Sequence, residues 1–391
     1  MTAPVYDVDF YSDAVIADPL PHYRAMQALG PVVWLPAQNA YALVSHKAVT
    51  EALRRPAVFQ SGRGLSLNDE VNKNLIGSTL NTDGEKHTRK RMITAPPITP
   101  IPLEPLEPQI AQAADDLAEA LVARGRFDAV ADFAQILPLR FVIDLVGLPD
   151  VGSAKMLKWA SATFNVFEGF NERSKAAFAD IAELQAFLAE YGREDQLKEG
   201  GLARRIFELA DDNGLSVEEA AQQMRDYINP SLDTTISVAG FAAWHFAQSP
   251  DQWDKLVADP KLADGAVEEL VRLTTPIRAF SRYVAEDAVV EGVPIRKANR
   301  VIIVYAAANR DPKLFEDPDR FDITRAARRH MGFGHGKHMC MGMHLARMEL
   351  RHLLRAMAER VKCWDIAGEP EIAFNNTIRA FKRLPVTVTP L

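Results

Sequence analysis

Cys340 lies in the segment best suited to chemistry, Phe333-Gly334-His335-Gly336-Lys337-His338-Met339-Cys340-Met341-Gly342. The glycines allow tight or left-handed turns and a close approach of the backbone to a large flat ligand. A helix is expected after the cysteine, and a helix N-terminus favours negative charge and lowers the pKa of a thiol. Amide N–H groups of the turn can also donate to the sulfur. Such a thiolate is what a haem iron requires as an axial ligand for O–O cleavage.

A cysteine has other common uses, which compete with this interpretation. It can be a small buried hydrophobe or a catalytic nucleophile. His335, His338 and His344 surround Cys340 and raise the alternative of a zinc site, but their spacing matches no common zinc finger. The complete ten-residue pattern favours the haem thiolate over these readings.

The pattern Phe-Gly-x-Gly-x-His-x-Cys-x-Gly resembles the haem-binding loop of the bacterial cytochromes P450. This resemblance implies haem b as the cofactor, Cys340 as the iron ligand, and monooxygenase activity. It also implies the family's fold, which is mainly α with small β-sheets in a single compact triangular domain. We therefore expect one cytochrome P450 domain over residues 1–391, and a monomer.

Basic residues at three further places match the family's contacts with the haem propionates. His87 and Arg91 are four residues apart in a predicted helix, so they share one face and can meet a carboxylate. The resemblance assigns both to the propionates, and assigns Arg282 and His338 to them as well. For each residue taken alone, an exposed basic side chain is the competing interpretation.

A second family feature is the Glu-x-x-Arg pair, which Glu269 and Arg272 match. At this spacing the two side chains share a helix face and can pair. The resemblance adds Arg320 as the third member of the group and assigns it a structural role. On its own, such a pair is usually solvated on the surface.

Asp233 and Thr234 resemble the acid–alcohol pair of the family's oxygen-binding helix. A threonine hydroxyl can hold dioxygen, and an adjacent carboxyl can relay protons from solvent. The competing interpretation is helix capping. Pro230 and Ser231 replace the family's small residues ahead of the pair. Since proline lacks an N–H, we expect Pro230 to distort the helix; an altered, peroxide-driven activation of oxygen is the alternative.

The resemblance is stronger to bacterial enzymes that O-demethylate para-methoxybenzoate, and similar stretches run over nearly the whole chain. In that group, Arg and Ser side chains hold the carboxylate and Phe side chains sandwich the ring. Arg63, Ser66 and Arg225 match the anion contacts. Phe164 and Phe167 match the aromatic clamp, although both could be ordinary core residues.

Three positions depart from that group and predict a more polar pocket. Asp226 and Asn229 replace serines, and Ser281 replaces a phenylalanine. A carboxylate at position 226 would repel a benzoate unless Arg225 neutralised it. We therefore expect a small para-substituted aromatic substrate with a phenol or other polar group, with benzoate as the alternative.

Helical patterns dominate the elements that must position these residues. Val32–Leu35 and 40–45 are β-prone runs that predict a hairpin. From Gln109 the spacing of apolar residues predicts a helix that Gly125 ends, and helical patterns continue to about Thr274. Short strands are predicted at 289–290 and 301–305, and a last helix over 343–360. The prolines between 96 and 108 predict a stiff loop between helices.

The composition predicts which partners and which cellular location to expect. The net charge is −7 and the pI about 5.8, so neither nucleic acid nor an anionic membrane is an expected partner. Only two cysteines, no apparent signal peptide and no long apolar run predict a cytoplasmic protein.

The chain has no flavin, NAD or iron–sulfur motif, so its electrons must come from another protein. We expect a ferredoxin and its ferredoxin reductase as donors. Lys337, Arg347 and Arg351 are candidates for the docking surface, with an ordinary solvated helix face as the alternative for the two arginines. A non-catalytic haem sensor or carrier is the remaining alternative function.

Overall fold

The computed structural model describes residues 2–74, 78–149, 153–167, 170–228 and 230–391. Within them the helices are α1 Asp13–Ala17, α2 Leu20–Leu29, α3 His46–Leu53, α4 Asp69–Asn74, α5 Gly84–Thr94, α6 Pro100–Leu103, α7 Glu107–Arg124, α8 Ile136–Val146, α9 Ser153–Phe167, α10 Glu172–Tyr191, α11 Leu202–Glu208, α12 Val217–Gln223, α13 Arg225–Ile228, α14 Asp233–Gln248, α15 Pro250–Ala258, α16 Ala263–Thr274, α17 Tyr305–Ala308 and α18 Met343–Ala358.

The strands form small sheets beside the helices. They are β1 Val32–Leu35, β2 Ala40–Leu43, β3 Phe59–Gln60, β4 Arg126–Asp128, β5 Phe280–Val284, β6 Ala288–Val290, β7 Val293–Ile295, β8 Arg300–Ile303, β9 Val361–Ile366, β10 Glu371–Ala373, β11 Ala380–Arg383 and β12 Pro385–Pro390. One sheet has the order β1-β2-β8-β5-β3 and another β4-β12-β9, while β10-β11 and β6-β7 form pairs. The predicted class, mainly α with small sheets, is confirmed.

Elements with strong local signals lie where the sequence predicts them. β1 and β2 form the expected antiparallel hairpin, with Val32 opposite Leu43. α7 ends at Gly125, whose φ of +68° lets its N–H reach the carbonyl of Leu121. The proline-rich segment differs from the expected loop: it is a series of short helical turns, because proline is compatible with the first turn of a helix.

The helix α14 runs through the largest apolar core and positions the site. Most of its residues are buried, as expected for a helix in the centre of a large protein. It contacts α16, α18, β9 and β11, so it is held from several directions. In the described part of the chain, no helix is long and apolar enough to cross a bilayer.

Candidate active site

A cavity of about 490 Å³ separates the cysteine loop from the start of α14. Cys340 borders it on one side and Thr234 on another. Segments of α5, α9, α10, α13, β5 and α18 complete its wall. The cavity therefore brings together most of the residues that the sequence singles out.

The glycine-containing loop holds Cys340 at the mouth of α18. The backbone N–H of Cys340 donates to the carbonyl of Phe333 at 2.8 Å. Gly336 has a φ of +72°, and a Cβ there would lie 2.7 Å from the carbonyl oxygen of Leu53. Glycine is thus required at this position both by conformation and by space.

The pKa of Cys340 differs from the expectation. Burial raises it above its usual value, although the backbone N–H groups of Gly342 and Met343 and two arginines oppose this. The start of the helix therefore stabilises a thiolate less than burial disfavours it. A coordinated metal ion deprotonates a thiol outright, so the thiolate form here depends on the metal.

Four basic side chains share the cavity wall with Cys340. They are His87 and Arg91 on α5, Arg282 on β5 and His338 in the cysteine loop. The rings of His87 and His338 have centroids 4.3 Å apart. Burial lowers the pKa of His87 to about 4. Arg91 donates to the carbonyl of Met339, which ties α5 to the loop.

These residues fit a haem. Nε2 of His87 is buried and has no hydrogen-bond partner among the described residues, so a propionate would satisfy it. Arg282 is only 2% exposed yet borders the cavity, and a buried guanidinium there suits an anionic group. Within the described residues no group of three His, Cys, Asp or Glu side chains could hold a metal ion, which disfavours the zinc alternative.

The helix that carries the acid–alcohol pair is interrupted, as Pro230 predicts. α13 ends at Ile228 and α14 begins at Asp233. The Thr234 hydroxyl donates to the carbonyl of Pro230 at 2.9 Å, and the Ser231 hydroxyl donates to that of Tyr227 at 2.5 Å. Both hydroxyl groups thus donate their protons to carbonyl groups around the interruption and keep lone pairs for other contacts.

Asp233 and Thr234 occupy different environments. Thr234 borders the cavity, whereas Asp233 is buried and is not among the described residues that border it. Burial raises the pKa of Asp233 to about 7. A carboxyl with this pKa is half protonated near neutral pH, which suits a group that passes protons.

Phe164 and Phe167 of α9 border the far side of the cavity. Their rings meet edge to face with centroids 5.7 Å apart, and Phe167 meets Phe280 in the same way at 5.8 Å. Both also belong to an apolar core cluster. Core packing and a role as cavity wall are therefore compatible for these two side chains.

Arg225 and Asp226 border the cavity on α13. The guanidinium of Arg225 makes no hydrogen bond or ion pair with any described residue, and it is half-buried. The carboxylate of Asp226 accepts the backbone N–H of Thr79 at 2.9 and 3.1 Å. Asp226 therefore makes no ion pair with Arg225, and its carboxylate is held by the backbone of Thr79 instead.

Three other pocket predictions are not met. Arg63 is exposed and stacks on Tyr283, with its guanidinium carbon 4.0 Å from the ring centroid. Ser66 is buried, and its hydroxyl accepts the N–H of Asn68. The hydroxyl of Ser281 donates to the carbonyl of Leu65 at 2.9 Å. Arg63, Ser66 and Ser281 thus stabilise this part of the chain and are not among the residues bordering the cavity.

One predicted pocket residue cannot be placed: Asn229 lies outside the described residues.

The Glu-x-x-Arg pair is buried, and its third member is Arg325 rather than Arg320. Glu269 and Arg272 form an ion pair at 2.7 Å with neither side chain exposed. Arg325 donates to Glu269 at 3.1 Å. Arg320 is 65% exposed and pairs with Asp322 instead. The sequence match to Arg320 was wrong because the chain turns between the two positions.

Glu349 on α18 also borders the cavity and was not predicted. It is 2% exposed, burial raises its pKa to about 8, and its Oε1 has no partner among the described residues. A signal was present in the sequence: Glu349 lies four residues after Leu345 and four before Leu353, within the apolar face of the helix.

The candidate docking residues differ in their availability. Arg347 pairs with Glu268 at 2.6 Å, and Arg351 pairs with Glu107 at 2.6 Å. Lys337 is exposed and forms no ion pair with a described residue. Of the three, only Lys337 offers a charge that no described residue already pairs.

Comparisons with known proteins agree with this site. A family model for cytochrome P450 matches residues 172–364. Cytochrome p450 CYP199A2 of Rhodopseudomonas palustris is 36% identical, over 99% of this chain and 95% of its own. Cytochrome P450 monooxygenase PikC of Streptomyces venezuelae is 30% identical, over 98% of this chain and 94% of its own. The crystal structure of CalO2 matches with a TM-score of 0.85 at 27% identity, covering 98% of this chain and 99% of its own.

The chain therefore belongs to the cytochrome P450 family. Its cofactor is haem b and its enzyme class is monooxygenase. The expected fold, family, enzyme class and cofactor are confirmed.

Proposed function

We propose that this monooxygenase hydroxylates or O-demethylates a small para-substituted aromatic compound whose polar or anionic group faces Arg225. The observation that supports this proposal is that the guanidinium of Arg225 borders the cavity without a partner among the described residues. A half-buried cation of this kind is stabilised by a ligand carboxylate or phenolate. Phe164 and Phe167 provide an apolar wall for the aromatic ring.

The predicted haem-site residues have the following roles in this proposal. Haem b, when bound, supplies the activation of dioxygen. Cys340 is the axial ligand of its iron. The four basic residues His87, Arg91, Arg282 and His338 hold and orient the propionates.

The remaining roles concern protons and water. Thr234 offers a hydroxyl oxygen to the cavity, and Asp233 holds a proton behind it near neutral pH. The apolar wall excludes water from the reacting position.

The charge of Asp226 does not rule out a benzoate. Its carboxylate is engaged by the N–H of Thr79, and Lys90 and Arg91 lower its pKa against burial. Part of its negative charge is therefore compensated before any ligand binds. A para-methoxybenzoate and a para-methoxyphenol are both consistent with the cavity.

A spectral titration of the holoenzyme with 4-methoxybenzoate and 4-methoxyphenol tests the proposal. Arg225→Gln should weaken binding of the benzoate roughly tenfold to a hundredfold, because a hydrogen bond to a charged group is lost. The phenol should be affected less. Arg63→Gln is the matched control, since Arg63 is exposed and stacks on Tyr283. Loss of benzoate binding in the control alone would contradict the assignment.

The electron donor that fits best is a ferredoxin served by a ferredoxin reductase. Lys337 provides positive charge beside the cysteine loop for an acidic partner. Neither Cys340 nor Cys363 forms a disulfide, which suits the cytoplasm. Turnover with NADH and a ferredoxin system should exceed turnover with hydrogen peroxide. The reverse order would indicate a peroxide-driven oxygenase, and no turnover with either would indicate a sensor or carrier.

A further inference from the structure

Asp226 joins two parts of the cavity wall that are distant in sequence. It lies on α13, and both of its carboxylate oxygens accept the backbone N–H of Thr79, at 3.1 and 2.9 Å. Ser78, Thr79 and Leu80 all border the cavity. The carboxylate thus holds Thr79, in the middle of segment 78–80, through its backbone N–H.

A second tie reaches the same segment from the neighbouring helix. Gln223 at the end of α12 is fully buried, and its Nε2 lies 3.4 Å from Oγ1 of Thr79. The same nitrogen donates to the carbonyl of Lys90 at 2.6 Å. Gln223 therefore connects segment 78–80 with α5, which carries His87 and Arg91.

Lys90 and Arg91 on α5 favour the charged form of the Asp226 carboxylate. Burial raises its pKa to about 6, while the N–H of Thr79 and the charges of Lys90 and Arg91 act in the opposite direction. A charged acceptor forms stronger hydrogen bonds than a neutral one. The arrangement is that of a buried carboxylate holding a backbone amide in place.

We infer that Asp226 is a positioning residue that fixes segment 78–80 as one wall of the substrate cavity, and that it is not an electrostatic contact of the substrate. The inference uses the proposed function only in taking this cavity as the substrate site. A serine side chain is shorter and its hydroxyl is a weaker acceptor, so it would hold the segment less firmly.

Hydrogen–deuterium exchange of the holoenzyme tests the contact directly. In Asp226→Ser, peptides covering residues 78–82 should exchange at least roughly tenfold faster, because the hydrogen bonds of Thr79 to a charged acceptor are lost. Asp226→Asn keeps one acceptor oxygen at the same place but loses the charge, so its exchange should lie between that of the parent and that of Asp226→Ser. Peptides from the hairpin β1–β2 are the internal control. Unchanged exchange in Asp226→Ser would overturn the inference.

Substrate binding distinguishes positioning from repulsion. If Asp226 positions the wall, Asp226→Ser raises KM for 4-methoxybenzoate several-fold with little change in kcat, and Asp226→Asn raises KM by less. If the carboxylate instead repels the substrate, both variants bind 4-methoxybenzoate more tightly, and the inference fails. Should the parent enzyme bind neither aromatic probe, the substrate proposal fails while the exchange experiment still decides the role of Asp226.

Discussion

The two sides of the cavity differ in how they are built. On the side of Cys340, a loop closed by its own hydrogen bond and four basic residues forms a site for a ligand that is the same throughout the family. On the side of α9 and α13, the wall is formed by the aromatic side chains of Phe164 and Phe167 and by the guanidinium of Arg225, which pairs with no described residue. The first side sets the chemistry of the enzyme, and the second side sets which compound reaches it.

The two sides of the cavity also differ in how well they tolerate substitutions. The loop at Cys340 requires glycine at 336, because a side chain there would meet the carbonyl of Leu53. Positions 226, 229 and 281 are those at which the sequence predicted a more polar substrate pocket. Substitutions should therefore abolish the chemistry on the first side and alter selectivity on the second.

The largest effect is expected at the iron ligand. Cys340→Ala should abolish the thiolate-type Soret band of the reduced carbon-monoxide adduct and all oxygen-dependent turnover, because no other described side chain at the site is a thiol. Cys363→Ala is the matched control, because this cysteine lies in β9 away from the cavity. A normal spectrum in Cys340→Ala would refute the entire assignment of this side of the cavity.

The next effect concerns proton delivery. Asp233→Asn should lower turnover by about 10²–10⁴-fold, the usual contribution of a proton-transfer group. Since the pKa of Asp233 is about 7, the carboxyl is protonated below neutral pH and loses its proton above it. Turnover of the parent should therefore fall as the pH rises through 7, if Asp233 acts as the donor.

The pH profile supplies the decisive comparison for this prediction. In Asp233→Asn the fall in turnover near pH 7 should vanish, while binding of 4-methoxybenzoate stays unchanged because Asp233 does not border the cavity. Thr234→Ala should also lower turnover but should keep this pH dependence. If the fall near pH 7 persists in Asp233→Asn, the titrating group is not Asp233.

The same contrast explains what the sequence could predict. The hairpin of β1 and β2, the end of α7 at Gly125 and the start of α18 depend on local patterns, so each lies where expected. The cysteine loop is local as well, and a motif of ten residues is enough to identify the family.

The missed features all depend on contacts over long distances in sequence. Arg63 lies outside the cavity because it stacks on Tyr283, and Ser281 is turned to the carbonyls of Gly64 and Leu65. Burial, which spacing alone does not give, raises the pKa of Cys340. Asp226 matched the position of a substrate contact, but its partner proved to be Thr79.

A smaller effect is expected in the scaffold that supports the Cys340 side. Arg325→Gln should destabilise the protein by about 1–3 kcal/mol, because it removes a partner of the fully buried Glu269. Arg320→Gln should change stability by less than about 0.5 kcal/mol, since its pair with Asp322 is exposed. Urea unfolding of both variants measures the difference. Equal loss in the two variants would restore Arg320 as the third member of the group.

The smallest effect is expected at Lys337, on the exposed surface of the cysteine loop. Lys337→Gln should raise KM for an acidic ferredoxin by up to about fivefold, the range of an exposed charge pair, and should reduce the dependence of KM on salt. Arg351→Gln is the control, because Arg351 already pairs with Glu107 and Asp264 and its charge is compensated. Substrate affinity should be unchanged in both variants, since neither residue borders the cavity. A larger effect at Arg351 than at Lys337 would move the docking surface from the cysteine loop to the face of α18, a helix that also borders the cavity.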